Sequence, residues 1–312
     1  MGGDTTYSTG GSYDWSERAA RRGAASYAAV DRRTYTGYSS KGLKPPKGME
    51  ISSESEIPLV LMLDGTGSMS RLPRFILERT PTMFYELNAV IQGYDPKELA
   101  KKPVEVPAKL EMSIICIGDA YSDHSPLQVV GFKKHAGLVK GINQIYPEGG
   151  GGGTREESYE LGAYYLNRHC KTPKSVIKPI CIIAGDEAFY DKVDRFQVRE
   201  LIGDNLKEDI DSRDVMKELQ KKFDAYILQP ELHYSKSEYE KIHEKWRGVL
   251  PKDRVMVMED PEAIVNCMIM VSGYASGHFK EAQHALERRE EPWEIDQAVR
   301  AVHPLLKSKT ND

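Results

Sequence analysis

Short apolar runs bounded by turn residues recur along the chain, at Leu59–Leu63, Leu110–Ile117, Leu127–Phe132, Ile180–Ala184, Phe223–Gln229 and Arg254–Met258. Runs of this length predict strands, and the most uniformly apolar of them predict strands buried on both faces of a largely parallel sheet. Gly118 to Pro126 joins the second run to the third as a hairpin. Between the runs, apolar positions recur at helical spacing. Phe75, Ile76, Met83, Phe84, Leu87, Val90 and Ile91 predict two helical pieces meeting at Thr80-Pro81, because proline disrupts a helix interior. Leu138, Ile142 and Ile145 mark a short helix ending before Pro147, and Tyr159, Ala163 and Leu166 share the face of another. The charged stretch 187–222 reads as helical, with Phe189, Val193, Phe196, Leu201, Val215 and Leu219 turned inward and its many carboxylates on a solvated face. Glu238–Gly248 predicts a helix, and Pro261–Tyr274 a closing one capped by Asp260. Strands and helices in this alternation predict an α/β, doubly wound (Rossmann-like) fold with helices on both faces of the sheet.

The ends of the chain break the pattern. Residues 1–50 are rich in Gly, Ser, Thr, Tyr, Ala and Arg and finish in Lys44-Pro45-Pro46-Lys47-Gly48, which predicts a low-complexity tail without a core of its own. Eight basic residues stand there against five acidic ones, interleaved with five tyrosines and Trp15, a mixture that permits RNA binding or partner docking, with wrapping of the domain or a solvated tail as the plainer reading. From Phe279 onward an amphipathic helix is expected around Ala282–Val302, interrupted near Pro292, either packing back or offering a second face. The expected division is therefore a tail over 1–50, an α/β domain over 56–275 and a helical extension over 276–312.

Composition narrows the partners. The 312 residues are 40% hydrophobic and 29% charged with a net charge of -4, which draws the chain toward neither nucleic acid nor anionic membrane. No apolar stretch reaches the length of a membrane span and no hydrophobic leader begins the chain, so a cytoplasmic protein is expected. Three of the four cysteines lie in apolar runs, and none stand at zinc-ligand spacing; reduced packing residues are expected.

Candidate chemistry is concentrated where the first apolar run ends in Asp64-Gly65-Thr66-Gly67-Ser68-Met69. A carboxylate and two hydroxyls at a strand's carboxyl end offer oxygen, the ligand atom suited to Mg²⁺ or Mn²⁺, with Ca²⁺ a further candidate, while the glycines permit a sharp turn. The stretch resembles the metal-ion-dependent adhesion site of the von Willebrand factor A domain family, whose first motif is Asp-x-Ser-x-Ser, with Thr66 in place of the first serine. The resemblance covers residues 56–275 and implies a mostly parallel sheet with one antiparallel edge strand. It also implies a second loop after a glycine pair, here Glu148 to Ser158, that brings Thr154 to the metal, and a third that brings Asp186. Thr154 has a second reading as the N-cap of a capping box with Glu157.

In that family a partner protein's carboxylate completes the coordination sphere, so the resemblance implies metal-dependent protein recognition without chemistry. Asp119 and Asp123, after the second strand, and Glu187, beside Asp186, are candidates to stand behind the ligands or to face a partner; turn chemistry is the equal reading for the two aspartates. The alternative function is a metal-dependent phosphohydrolase using a metal-activated water. Leu63-Asp64-Gly65-Thr66 also looks like the fragment of haloacid-dehalogenase phosphatases, but the position of their nucleophilic aspartate is Met62, which closes the covalent route. No histidine lies in the three site segments to serve as base.

Overall fold

The structure, a computed structural model, describes residues 42–94, 109–288 and 290–308. Six strands form its main sheet: β1 (Ile57–Asp64), β2 (Leu110–Ile117), β3 (Leu127–Lys133), β4 (Ile180–Ala184), β5 (Asp224–Pro230) and β6 (Val255–Met258), in the order β6-β5-β4-β1-β2-β3. Every neighbouring pair is parallel except β2 with the edge strand β3. β1 lies between β2 and β4, with Leu61 opposite Ile114 on one side and Ile182 on the other.

Eight helices of the described residues cover the two faces: α1 (Leu72–Ile91), α2 (His135–Ile142), α3 (Tyr159–His169), α4 (Ser212–Lys222), α5 (Lys236–Arg247), α6 (Ile264–Ala275), α7 (Phe279–Glu287) and α8 (Pro292–Ser308). Alternation along β1 divides the core in two. Leu59, Leu61 and Leu63 pack with α1, α2 and α6, while Val60 and Met62 pack with α3, α4 and α5. All eight residues of β1 are buried, which explains why the run carries no polar alternation before Asp64. The doubly wound α/β architecture with one antiparallel edge strand is thus present.

Four expectations are corrected. First, α1 runs unbroken through Pro81. Ile76, Leu77, Thr80, Met83, Phe84 and Leu87 keep one buried face across the proline, and Thr80 Oγ1 donates to the Ile76 carbonyl at 2.8 Å. Second, 187–222 is not helical throughout: helix occupies Ser212–Lys222 and the irregular segment Arg195–Ile202, which ends at Gly203 with φ 97°, and short strands stand at Ala188–Phe189, Lys192–Val193 and Ile210–Asp211. Two of its carboxylates are caps, since Asp194 accepts from the Phe196 and Gln197 amides and Asp211 from the Arg213 amide. Third, Thr154 caps no helix, because Glu156–Glu157 pairs as a short strand with Ala188–Phe189 and α3 begins only at Tyr159. Fourth, of the two readings for the carboxyl-terminal helix, packing back is correct. Ala282, Leu286, Ala298, Val302 and Leu305 join the core cluster of α1 and α6.

At the other end, residues 42–50 are fastened to the domain: the Gly48 amide donates to the Ile202 carbonyl at 2.8 Å and the Tyr165 hydroxyl to the Met49 carbonyl at 3.0 Å. Residues 1–41, most of the expected tail, lie outside the described residues. Among the described residues no helix is long and apolar enough to cross a membrane. All four cysteines are free and buried.

Candidate metal centre

The strand order fixes where a site can form. The chain leaves β1 toward β2 on one side, and β4 returns to β1 on the other, so a crevice opens at the carboxyl ends of β1 and β4. Asp64 is the last residue of β1, and Asp186 follows β4 by two residues. Asp64 continues the alternation of Val60 and Met62, which turns it toward α3, where the Tyr159 hydroxyl donates to Asp64 Oδ2 at 2.5 Å. Asp64 Oδ1 accepts from the Thr66 amide at 2.8 Å and from Thr66 Oγ1 at 2.5 Å. Ser68 Oγ donates to Asp186 Oδ1 at 2.9 Å. Thr66 Oγ1 and Ser68 Oγ lie 3.0 Å apart, a hydrogen bond in which either hydroxyl can donate.

These groups have left water. Asp64 and Asp186 are fully buried, and Thr66 and Glu187 nearly so, while Gly67 and Ser68 are half-buried and leave the loop open on one side. Asp64, Asp186 and Glu187 each offer an oxygen within 4.8 Å of the others. Asp186 Oδ2 is buried with no hydrogen-bond partner. Burial raises the Asp64 pKa. Burial first, then the charges of Glu187 and Asp64, push Asp186 well above the usual carboxylate range, and burial brings Glu187 up to about 7. Glu157 is also held well above its ordinary value, by burial and by Glu187, with which it forms a carboxyl–carboxylate hydrogen bond when it keeps its proton. Buried carboxylates without cations are costly. An all-oxygen donor set with converging oxygens, one of them orphaned, fits a hard divalent cation.

Residues that the sequence analysis did not single out complete the surroundings. Tyr159 orients Asp64, the Tyr234 hydroxyl donates to Glu187 Oε1, and Trp246 Nε1 donates to the Glu187 carbonyl at 2.9 Å. His233, from the loop after β5, places Nε2 3.9 Å from Asp186 Oδ2. Burial lowers its pKa, so the imidazole is neutral near pH 7.

The structure brings Asp64, Thr66, Ser68, Asp186 and Glu187 together, whereas the Thr154 hydroxyl is engaged elsewhere. It donates to the Glu156 carbonyl at 2.9 Å and lies 3.1 Å from the Tyr190 hydroxyl, exposed. Thr154 lines a cleft of about 690 Å³ beside the centre together with Arg155, Tyr234, Lys241 and Lys245. Asp119 and Asp123 lie against the glycine loop rather than in the centre. A Cβ at Gly152 would overlap Asp119 Oδ2 and one at Gly150 would overlap Asp123 Oδ1. That loop in turn binds the metal-motif loop, with the Gly67 amide donating to the Gly150 carbonyl at 2.6 Å and the Gly149 amide to the Gly65 carbonyl at 3.0 Å.

No protein-family model matches the chain, and no curated protein matches it. Solved structures to which it is similar include the pilus adhesin SpaC of Lactobacillus rhamnosus GG in an open conformation, at 14% identity and a TM-score of 0.46, over 76% of this chain and 31% of that one. Proximal thread matrix protein 1 of the mussel byssus, with a zinc-occupied MIDAS motif, is 11% identical at a TM-score of 0.38, over 71% of this chain and 48% of that one. A von Willebrand factor type A structure from Catenulispora acidiphila is 12% identical at a TM-score of 0.35, over 76% and 48% of the two chains. The chain therefore spans 31% to 48% of the length of these structures.

Proposed function

We propose that the chain is a divalent-cation-dependent protein-interaction module. Asp64, Thr66, Ser68 and Asp186 would hold Mg²⁺, or Mn²⁺ or Ca²⁺, Thr154 would reach the ion through water, and an acidic group of a partner protein would complete the ion's shell. The observation that carries this reading is the convergence of Asp64, Asp186 and Glu187 oxygens within 4.8 Å of one another, with the Thr66 and Ser68 hydroxyls beside them and Asp186 Oδ2 buried and unpartnered. The half-buried Gly67 and Ser68 leave a side of the loop open to a partner's oxygen. The four free, buried cysteines suit a reducing compartment, in keeping with an intracellular module.

Calorimetric titration of metal into the wild type and Asp64→Ala tests the centre. Divalent binding should be abolished in the variant while its circular dichroism stays that of the wild type, because the site decorates the rim of a sheet whose core is built without it. A variant that binds metal as tightly as wild type sinks the site; one that unfolds makes the metal structural. Partner capture that persists in chelator sinks the role in recognition.

One observation favours a second reading, a phosphohydrolase using metal-activated water: the neutral His233 beside Asp186 is placed to accept a proton. Turnover of a generic phosphate ester that needs Mg²⁺ and is lost in His233→Ala would establish it, and the absence of turnover with metal bound would dismiss it.

A further inference from the structure

We propose that the cleft beside the centre receives a second acidic side chain of the same partner segment, two residues along from the one that completes the ion's shell; this rests on the interaction reading above. The cleft, about 690 Å³ in volume, lies between residues 153–156 and one face of α5, where Glu238, Lys241, Ile242 and Lys245 follow one another at helical spacing. It is continuous with the centre. Tyr234 lines it and donates its hydroxyl to Glu187 Oε1, and Thr154 lines it from the glycine loop. Ala188 and Ile242, both buried, give it apolar surface for the methylenes of an acidic side chain.

Charge selects the occupant. Arg155 is paired with Glu238, and Lys245 with Glu156 and Asp191. Lys241, exposed on the same face of α5, has no partner among the described residues. Among the residues that line the cleft, three cations therefore stand against two anions, and one positive charge is left over. One carboxylate meets it. A phosphate would bring nearly a second charge for which no cation remains, because Arg155 and Lys245 are already engaged. The spacing follows from the geometry of an extended chain, which turns residues i and i+2 to the same side about 6.5 Å apart. A segment that offers one oxygen to the open side of the metal-motif loop then sets its next same-side residue past Tyr234, the single side chain between the centre and the cleft.

The probes are short blocked glycine peptides carrying one glutamate, two glutamates separated by a glycine, or a glutamate and a lysine at those same two places. Each is titrated against the Mg²⁺-loaded full chain at low salt, with dissociation constants taken from the peptide's NMR signals. The two-glutamate peptide should bind the wild type about two- to fivefold more tightly than the one-glutamate peptide, the range of an exposed ion pair. Lys241→Glu, a change at an exposed helix position, should keep the Mg²⁺ affinity and the one-glutamate affinity of the wild type. In that variant the order of the other two should invert, the two-glutamate peptide falling below the one-glutamate peptide and the glutamate–lysine peptide rising above it. If the second glutamate gains nothing in the wild type, or keeps its gain in Lys241→Glu, the cleft is not its seat; metal-dependent binding of the one-glutamate peptide then leaves the interaction reading standing. Failure of every peptide to bind the loaded chain, or binding that persists in chelator, overturns both.

Discussion

Asp123 is buried with Oδ2 accepting the Asp119 amide at 2.8 Å, and burial, aided by the charges of Glu148 and Asp119, pushes its pKa up to about 7. In the unfolded chain the value is about 3.9. The folded state thus holds this proton more tightly, so the contribution to stability is complete below pH about 4 and is lost as the pH rises through about 7. Urea melts from pH 4 to 8 should show the wild type losing stability relative to Asp123→Asn across that window, and parallel profiles would refute the shift. Asp119, which faces the same loop and is also raised by burial, is one of the charges acting on Asp123, so Asp119→Asn melted alongside separates its share of the slope. At this scale the motif aspartates and hydroxyls were legible, because an apolar strand ending in Asp64-Gly65-Thr66-Gly67-Ser68 has few other uses for so many oxygens. Tyr159 and His233 were not. A helix-face tyrosine reads the same whether its hydroxyl meets water or Asp64, and only the folded chain carries His233 to Asp186. Thr154 occupies the motif position, yet its hydroxyl is directed to Tyr190 and to its own loop.

Five glycines in a row at 149–153 could be read only as neither helix nor strand; their separate reasons appear in three dimensions. Gly149 has φ 69° with open space around it, whereas Gly152 has no positive φ but abuts Asp119 Oδ2. Gly149→Ala should therefore cost about 1–2 kcal/mol through its backbone conformation alone. Gly152→Ala should cost more, because the Asp119 carboxylate that it displaces is buried and bonded to Ser122 and Tyr190. Adding Asp119→Ala to Gly152→Ala should recover part of that loss, a coupling that Gly149→Ala lacks. Chemical denaturation of the set decides it, and additive costs would show that the contact does not constrain the loop. The helix α1 illustrates the opposite limit, where local preference was readable but was overruled. Pro81 argued for a break, and a continuous buried face along the sheet won. The stretch 187–222 failed for a related reason: its carboxylates read as a solvated helical face although Asp194 and Asp211 are caps, and nothing in the pattern marks the short strands between.

For the molecule as a whole, all six main strands were visible as apolar runs to within two residues at either end, but their order was not, since a strand buried on both faces does not name its neighbours. The carboxyl-terminal helices were legible as helices and ambiguous in position, because an amphipathic face looks the same before and after it finds a partner. Their removal is the decisive test. Leu286, Val302 and Leu305 are at most 1% exposed within the core shared by α1 and α6, and Gly273 of α6 admits α7 so closely that a Cβ there would sit 2.5 Å from Ala282 Cβ. Exposing buried apolar side chains costs about 1.5–3 kcal/mol each, counting those lost with α7 and α8 and those uncovered on α6, against a total stability of about 5–15 kcal/mol. A chain ending at Ala275 should therefore fail to melt cooperatively and should aggregate. A chain beginning at residue 42 keeps Gly48 and Met49 bonded to the domain and should melt cooperatively, whereas one beginning at residue 53 loses those bonds and the buried Ile51, and should be measurably less stable than it. Scanning calorimetry of the three orders them. If the chain ending at Ala275 melts within a few degrees of the full chain, α7 and α8 rest on a domain that is complete without them.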